Sequence, residues 1–195
     1  VALRNEKALI DVYETYPKQT LRNRCTVATS SGILCLTVPV KRTFGNHTKT
    51  AEMTIDNSRN WQQVHWRSIV TAYNKSPYFL YYRDLFEPVY MKKFDRLIDL
   101  NHELLLMLFK ALQTSNNHVV YTDSFIKNPD FTDLRNSFSA GSTPLQYFKT
   151  EFPRYIQVFE ETIGFQPDLS IIDLLFNIGP DAKQYLESMK MSYDV

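Results

Sequence analysis

The chain of 195 residues is 44% hydrophobic and 22% charged, a balance typical of a globular protein that buries a substantial core. Its formal net charge of +1 provides no overall field that would draw it to nucleic acid or to an anionic membrane, so neither is an expected partner. No apolar run approaches the roughly 20 residues of a membrane-spanning helix, and we expect no membrane span.

The first third of the chain predicts strands. Alternating apolar and β-branched residues indicate strands at residues 8–13, 25–27, 33–40 and 51–56. The second and third of these would pair as a hairpin around residues 30–32. Pro39 predicts that the third strand ends there or lies at a sheet edge. The polar segment 41–50, which contains Gly45, predicts a mobile loop.

The two cysteines, Cys25 and Cys35, lie on the two arms of this hairpin. If residues 31 and 32 form a two-residue turn, Cys25 faces Val38. Cys35 then faces Ala28, and this register holds the sulfurs too far apart to bond. A longer turn would change the register. We expect reduced thiols, and because no signal peptide is visible, a cytoplasmic protein.

Helices are predicted in the remainder. Asn60 is a suitable N-cap for a helix that runs to about Tyr73, with a stripe at Trp66, Ile69, Val70 and Tyr73. Glu87 and Pro88 predict the start of a second helix, the longest, which continues to about Leu112.

Shorter elements follow. Residues 119–125 predict a strand, residues 128–143 a loop, and residues 144–164 a partly helical segment interrupted by Pro153. Ser170 predicts the cap of a helix that ends at Gly179, and Pro180 starts a last helix. Strands therefore come mainly before helices. This order favours an α/β fold, with α+β as the alternative: a single domain in which helices pack on a mixed β-sheet.

A polar run follows the first strand, at residues 18–24. It combines three cations, Lys18, Arg22 and Arg24, with two amides, Gln19 and Asn23. Arginine binds phosphate or carboxylate in bidentate fashion, and amides can orient a sugar or peptide group. In an extended segment the three cations would share one face and form an anion site. The alternative is a solvated edge strand protected by charge.

His65 lies on the shoulder of the first helix, where a side chain can reach a cleft while its helix stays anchored. Histidine is the most common general base because its ordinary pKa lies near neutrality. The flanking indoles of Trp61 and Trp66 could stack on a sugar or base, and Arg67 lies on the opposite face. The alternative is a half-buried histidine that bonds a neighbour.

Three further positions are candidates. Asn101 lies in the middle of an apolar helix stripe, so its amide must bond either a loop carbonyl or a polar pocket. Asp133 and Arg135 follow the late strand, and loops at strand ends commonly carry sites. Asp173 occupies the capping-box position of its own helix, which is its simplest role, with substrate binding as the alternative.

Several chemistries are not indicated. The chain has no glycine-rich phosphate loop, no Cys-x-x-Cys or His-Glu-x-x-His spacing and no Gly-x-Ser-x-Gly elbow. The four histidines are scattered along the chain. We therefore expect neither a metal nor a cofactor.

Six ordered segments together resemble the WbqC-like family. They are Tyr16-x-Lys18-Gln19-x-x-Arg22-Asn23-Arg24, Leu36-Thr37-Val38-Pro39-Val40, His65-Trp66-Arg67, Lys75-Ser76-Pro77-Tyr78-Phe79, Leu100-Asn101 and the run from Ser170 to Pro180. These bacterial proteins are often found with the biosynthesis of surface polysaccharide, including O-antigen. Family members begin with a further strand and a proline-containing turn ahead of Ala8, so the resemblance implies that this chain lacks that piece.

The resemblance implies a transferase, including one that moves an aminoacyl group such as glycine to a sugar. In this hypothesis the cations of the 18–24 run hold an anionic nucleotide-sugar or activated acyl donor, and His65 deprotonates the acceptor. The expected substrate-binding residues are Lys18, Gln19, Arg22, Asn23, Arg24, Trp66, Arg67, Asn101, Asp133, Arg135 and Asp173. The alternative is a non-catalytic protein that grips an acidic ligand or partner. An enzyme should place His65 and the arginines around one concave pocket.

Overall fold

The computed structural model describes residues 7–116, 118–135, 148–150, 152–189 and 191–193. Within these ranges the strands are β1 (Ala8–Ile10), β2 (Arg24–Thr29), β3 (Gly32–Thr37), β4 (Val40–Lys41), β5 (Thr54–Ile55), β6 (Val119–Tyr121), β7 (Phe148–Thr150) and β8 (Met191–Tyr193). The α-helices are α1 (Trp61–Tyr73), α2 (Phe79–Met91), α3 (Leu97–Ala111), α4 (Glu160–Ile163), α5 (Ile171–Ile178) and α6 (Asp181–Ser188). Short 3₁₀ turns span Leu21–Asn23, Gly45–His47 and Thr50–Glu52.

The fold is mixed α/β, as predicted, but the strands do not join into one sheet. In the described part of the chain they form separate two-stranded sheets: β1 with β6 in parallel, and β2 with β3, β4 with β5 and β7 with β8 in antiparallel orientation. No strand exceeds six residues in these ranges, so each offers little surface for a further neighbour. The parallel pair matters most here, because it brings residue 8 beside residue 119.

The β2–β3 hairpin turns one residue earlier than expected. Thr29 pairs with Gly32, so Ser30 and Ser31 form the turn, and Gly32 has a φ of 117°. That angle lies in a region that glycine adopts without strain. Cys25 consequently faces Leu36 rather than Val38.

The observed pairing of β2 with β3 also keeps the two cysteine sulfurs apart, but for a different geometric reason from the one expected. Cys35 pairs with Thr26, the neighbour of Cys25 along β2. Adjacent residues of a strand point to opposite faces, so the two sulfurs lie on opposite sides of the hairpin. Both cysteines are free, as predicted.

The two thiols should differ in reactivity. Cys35 is exposed, whereas burial raises the pKa of Cys25 to about 11, so little thiolate forms at neutral pH. Titration of the native protein with an aromatic disulfide reagent should show one fast thiol, and the second only after denaturant is added. A fast reaction at Cys25, detected in a Cys35→Ser variant, would contradict this environment.

Helix α1 has the bounds that its periodicity predicts, with three local differences. The side chain of Asn60 makes no capping hydrogen bond, and Val70 is half-buried rather than central. His65 is buried, not on a shoulder, because the β2–β3 hairpin packs beside it and the Thr37 carbonyl oxygen bonds its ring.

The prediction that a long helix starts at Pro88 is wrong. Pro88 lies inside α2, and α3 begins separately after Arg96. The buried side chains of α2 recur at helical spacing: Phe79, Tyr82, Phe86 and Val89. Burial of this face continues on both sides of the proline and outweighs the single backbone hydrogen bond that it lacks. The chain leaves the helix only at Lys92, which is extended.

The later elements are partly as expected. Strand β6 is shorter than the predicted 119–125, and residues 128–135 are irregular; residues 136–143 of the predicted loop lie outside the described ranges. In the predicted segment 144–164, residues 148–150 form a strand and the helix is limited to α4, while 144–147 and 151 lie outside. Helix α5 lies between Ser170 and Gly179 as predicted, although the Ser170 side chain makes no capping hydrogen bond, and α6 begins directly after Pro180, as expected.

Aromatic side chains dominate the core. Helices α1, α2 and α5 bring Tyr73, Phe79 and Phe176 together, and each of the three is at most 2% exposed. None of the described helices is both long and apolar enough to cross a membrane. With the helices fixed by this core, the β2–β3 hairpin is held against α1 and α5.

Candidate functional site

A cavity of about 940 Å³ opens between β1, the hairpin, α1, α3 and the segment after β6. Ligand-binding clefts commonly have volumes of about 300–1,000 Å³. Of the residues predicted for the site, those that line this cavity are Arg22, Asn23, Arg24, His65, Asn101, Asp133 and Arg135. The two arginines of the basic run and the histidine therefore share one concave surface, which is the arrangement expected of an enzyme rather than of a flat docking face.

The basic run is not an extended strand, contrary to prediction. A 3₁₀ turn at Leu21–Asn23 interrupts it, because the buried Thr20 hydroxyl accepts hydrogen bonds from both the Arg22 backbone N–H and its guanidinium. The turn separates the cations. Lys18 and Gln19 are exposed and lie outside the cavity lining, whereas Arg22 and Arg24 line it.

Two of the lining arginines are neutralised. Arg22 forms an ion pair with Glu14. Burial raises the pKa of Glu14, although the attraction of Arg22 acts in the opposite direction. Arg135 forms ion pairs with Asp11, at 2.8 Å, and with Asp133. These guanidiniums hold the cavity wall together and already have carboxylate partners.

Arg24 differs from these two arginines. Among the described residues it forms no ion pair, and its Nε atom is buried without a hydrogen-bond partner. The Thr50 hydroxyl, in the same cavity, is also buried and unpartnered. A buried polar group without a partner costs about 1–3 kcal/mol, so both atoms favour a bound ligand that supplies acceptors.

Asp11 organises the far wall. It is 8% exposed and accepts hydrogen bonds from the backbone N–H groups of Tyr13 and Glu14. It also accepts from the Thr122 hydroxyl and from Arg135, which in turn donates to the Ile126 carbonyl oxygen at 2.7 Å. One carboxylate thus fixes the end of β1 against the segment after β6.

His65 has the bonding of a positioned base. Its Nε2 lies 3.2 Å from the Thr37 carbonyl oxygen, which can only accept, so Nε2 carries the proton of the neutral ring. Nδ1 has no partner among the described residues and keeps its lone pair. Burial lowers the pKa of His65, while the Thr37 carbonyl opposes this effect. The imidazole is therefore neutral at pH 7, with Trp61 against it edge to face.

Asn101 is half-buried and has the backbone partner that its place in an apolar helix stripe predicted. Its Nδ2 donates to the Arg22 carbonyl oxygen at 2.9 Å, which ties α3 to the 3₁₀ turn. Asn23 has a similar role, since its Nδ2 donates to the Val38 carbonyl oxygen at 2.9 Å. Both amides border the cavity, and both are already committed to backbone bonds.

The remaining predicted residues lie elsewhere. Trp66 is buried, donates its indole N–H to Glu87 and stacks on Tyr90, while Arg67 is exposed on the far side of α1. Trp61, not Trp66, is the tryptophan that lines the cavity.

Asp173 neither caps its helix nor reaches the cavity. It is 1% exposed and accepts hydrogen bonds from four side chains of three segments: Tyr73, Tyr155, Gln157 and Asn177. Burial raises the pKa of Asp173, although its hydrogen bonds act in the opposite direction. The helix takes its first turn without help from the Ser170 side chain.

Sequence reasoning missed several lining residues, notably Asp11, Glu14, Thr50 and the leucines of α3. Asp11 had a usable signal of another kind, because it is the one carboxylate within the otherwise apolar predicted strand 8–13 and would need a partner if buried. Glu14 and Thr50 had none, since only folding brings Glu14 beside Arg22 and places Thr50 in the same cavity as Arg24. Among the described residues, no group of three or more histidine, cysteine or acidic side chains could hold a metal ion.

Comparison with known proteins gives two matches. A model described as the WbqC-like protein family matches residues 8–131 and 130–185. The uncharacterized protein Rv1507c of Mycobacterium tuberculosis is 28% identical over 193 residues, which cover 88% of this chain and 83% of that protein. No solved structure matches.

Proposed function

Because the chain belongs to the WbqC-like protein family, we propose that it transfers an acyl or aminoacyl group to a sugar in the assembly of a bacterial surface polysaccharide. The observation that carries this proposal is that one cavity contains Arg24, which forms no ion pair with any described residue, and a neutral histidine, His65. The free thiols favour a cytoplasmic site for the reaction.

Arg24 would bind the anionic or carbonyl oxygen of the donor. It is the arginine of the cavity without a carboxylate partner in the described part of the chain, so binding requires no ion pair to break. Hydrogen bonds to a charged group contribute about 1.5–3 kcal/mol. Arg22 and Arg135, by contrast, would keep the wall in shape.

His65 would act as the general base. Nδ1 accepts the proton of the acceptor hydroxyl or amine while the acceptor atom forms a bond to the acyl carbon of an activated ester or thioester. The bond from that carbon to the leaving group then breaks, and the leaving group departs with the electron pair and takes the proton from the imidazolium. The acyl group moves from donor to acceptor, and His65 returns to its neutral form.

A thermal-shift screen tests the binding half of this proposal. Acyl thioesters, aminoacyl-adenylate analogues, nucleotide-sugars and free amino acids would be added to the full chain. A donor present at 100 times its dissociation constant stabilises the folded state by about 2.7 kcal/mol, which shifts the melting temperature by a few degrees.

The variant Arg24→Gln should weaken binding of that donor about 10- to 100-fold, which corresponds to the loss of its charged hydrogen bonds. Arg67→Gln is the matched control, because Arg67 is exposed outside the cavity. No shift with any donor class, or an equal loss in both variants, would reject a donor site here and favour a protein that binds an acidic partner.

A further inference from the structure

The cavity has an apolar wall that no part of the described chain covers. Ile98, Leu104, Leu105 and Leu108 of α3 all line it and remain only half-buried. On an α-helix these positions span about 15 Å, since each residue rises about 1.5 Å. Leu9 and Ile10 of β1 add to the same lining. An apolar ligand that covers this wall removes apolar surface from water, which contributes favourably to the free energy of binding.

The charges of the cavity fit one negative charge. Four cationic side chains and three carboxylates line it, and the ion pairs of Arg22 and Arg135 involve all three carboxylates. A diphosphate, as in a nucleotide-sugar, would bring more charge than this surplus balances. A glycyl donor would bring an ammonium group to a cavity with a surplus of positive charge, and it would leave the wall of α3 bare.

The polar end presents unpaired hydrogen-bond donors. Arg24 Nε and the Thr50 hydroxyl, both in the lining, are buried without a hydrogen-bond partner among the described residues. Carboxyl or carbonyl oxygens of a ligand are the acceptors that such a group of donors requires.

Building on the proposed function, we propose that the donor carries an apolar acyl chain, with its acyl carbonyl oxygen at Arg24 and Thr50 and its chain along α3. The substrate class is thus a straight-chain fatty acyl group in activated form, rather than an aminoacyl group or a nucleotide-sugar. The free fatty acid is the simplest probe of the same site. It presents the same chain and oxygen acceptors at the same end, and the single charge of its carboxylate matches the positive surplus of the cavity.

Isothermal titration of the full chain with acetate, butyrate, hexanoate, octanoate and decanoate tests this assignment. Burial of one methylene group contributes about 0.8 kcal/mol, so the dissociation constant should fall about fourfold for each added methylene until the wall is covered. The same affinity from acetate to decanoate, or preferential binding of glycine, would overturn it.

Two variants and a control test where the acyl chain of the fatty acid binds. Leu105→Gln should reduce the gain per methylene, and Arg24→Gln should weaken every acid by a similar factor without changing that gain. Leu80→Gln is the control, because Leu80 is 73% exposed on α2 and does not line the cavity. If Leu105→Gln leaves the fall in dissociation constant per methylene unchanged, the acyl chains bind elsewhere and the assignment is wrong.

The two proposals can fail separately. If His65 proves dispensable for transfer while the chain-length series persists, the cavity binds fatty acyl groups but is not a transferase site. If the dissociation constant does not change with chain length while transfer from a short activated donor still depends on Arg24, the transferase proposal stands and the fatty acyl assignment is wrong.

Discussion

The variant Asp173→Ala is expected to lose about 3 kcal/mol of unfolding free energy. Asp173 Oδ2 accepts from the Tyr73 hydroxyl at 2.8 Å, and Oδ1 accepts from the Tyr155 hydroxyl at 2.7 Å. Alanine leaves two hydroxyls without their acceptor, and each unsatisfied buried group costs about 1–3 kcal/mol. Removal of a buried carboxylate offsets part of this loss. Urea denaturation of the variant and the unmodified chain measures the difference.

The loss should also depend on pH. Burial raises the pKa of Asp173 above its ordinary value of 3.8. The folded chain then binds the proton more tightly than the unfolded chain, so this group contributes stability below the unfolded pKa and loses it as pH rises through the folded pKa. The difference between the unmodified chain and Asp173→Ala should therefore widen as the pH falls from neutrality toward 3.8.

Two further variants show whether the lost stability comes from the hydrogen bonds of Asp173 or from the removal of any carboxylate. Asp84→Ala removes an exposed carboxylate of α2 and should change the stability by less than about 0.5 kcal/mol. Tyr73→Phe removes only the hydroxyl that links Asp173 to the Ala28 backbone N–H, and should cost about 1–2 kcal/mol. A loss below 1 kcal/mol for Asp173→Ala, with Tyr73→Phe neutral, would contradict the role assigned to this network.

This network gives a structural role to the Ser170-to-Pro180 run, which lies within the range that the family model matches. Tyr73 connects Asp173 on α5 to Ala28 on β2, and the Ser170 backbone N–H donates to the Thr26 carbonyl oxygen on the same strand. Strand β2 begins with Arg24, so the Ser170-to-Pro180 run holds in place the strand that carries the unpaired guanidinium. The segments that resemble the family thus include residues that hold the site in place as well as residues that line it.

Local periodicity was sufficient to predict some elements. Helix α1 and the paired strands β2 and β3 followed from patterns within about a dozen residues. Pro88 shows where this method fails, since its effect depends on the burial of Phe86 and Val89 against the rest of the fold. The start of α3 likewise depends on a distant contact, because the Ile55 backbone N–H donates to the Asp95 carbonyl oxygen.

The candidate site was predictable in part for the same reason. The sequence indicated that Arg22, Arg24 and His65 carry chemistry, and the structure places all three on one cavity. It could not indicate which arginine is free, because Glu14 neutralises Arg22 only after folding. Nor could it show that Asp173 is committed to tyrosines from two other segments.

The variant His65→Gln should lower the turnover number about 10²- to 10⁴-fold, the usual contribution of a general base. Glutamine can keep the hydrogen bond to the Thr37 carbonyl oxygen through its amide N–H, but it cannot accept a proton. The dissociation constant for octanoate should therefore stay unchanged while turnover falls. Glycyl and octanoyl thioesters of N-acetylcysteamine would serve as donors and a panel of sugars and amino sugars as acceptors, with acylated product measured by mass spectrometry.

The pH profile distinguishes a base from a residue that only supports the wall. A base works in its neutral form, so kcat/KM should rise with pH through the pKa of His65 and then level off. Because burial lowers that pKa below its ordinary value of 6.5, the rise should be complete by neutrality, and His65→Gln should lack it. His47→Gln, at an exposed position outside the cavity, should retain both the rate and the profile. Equal rates in the unmodified chain and in His65→Gln would show that proton transfer does not pass through this imidazole.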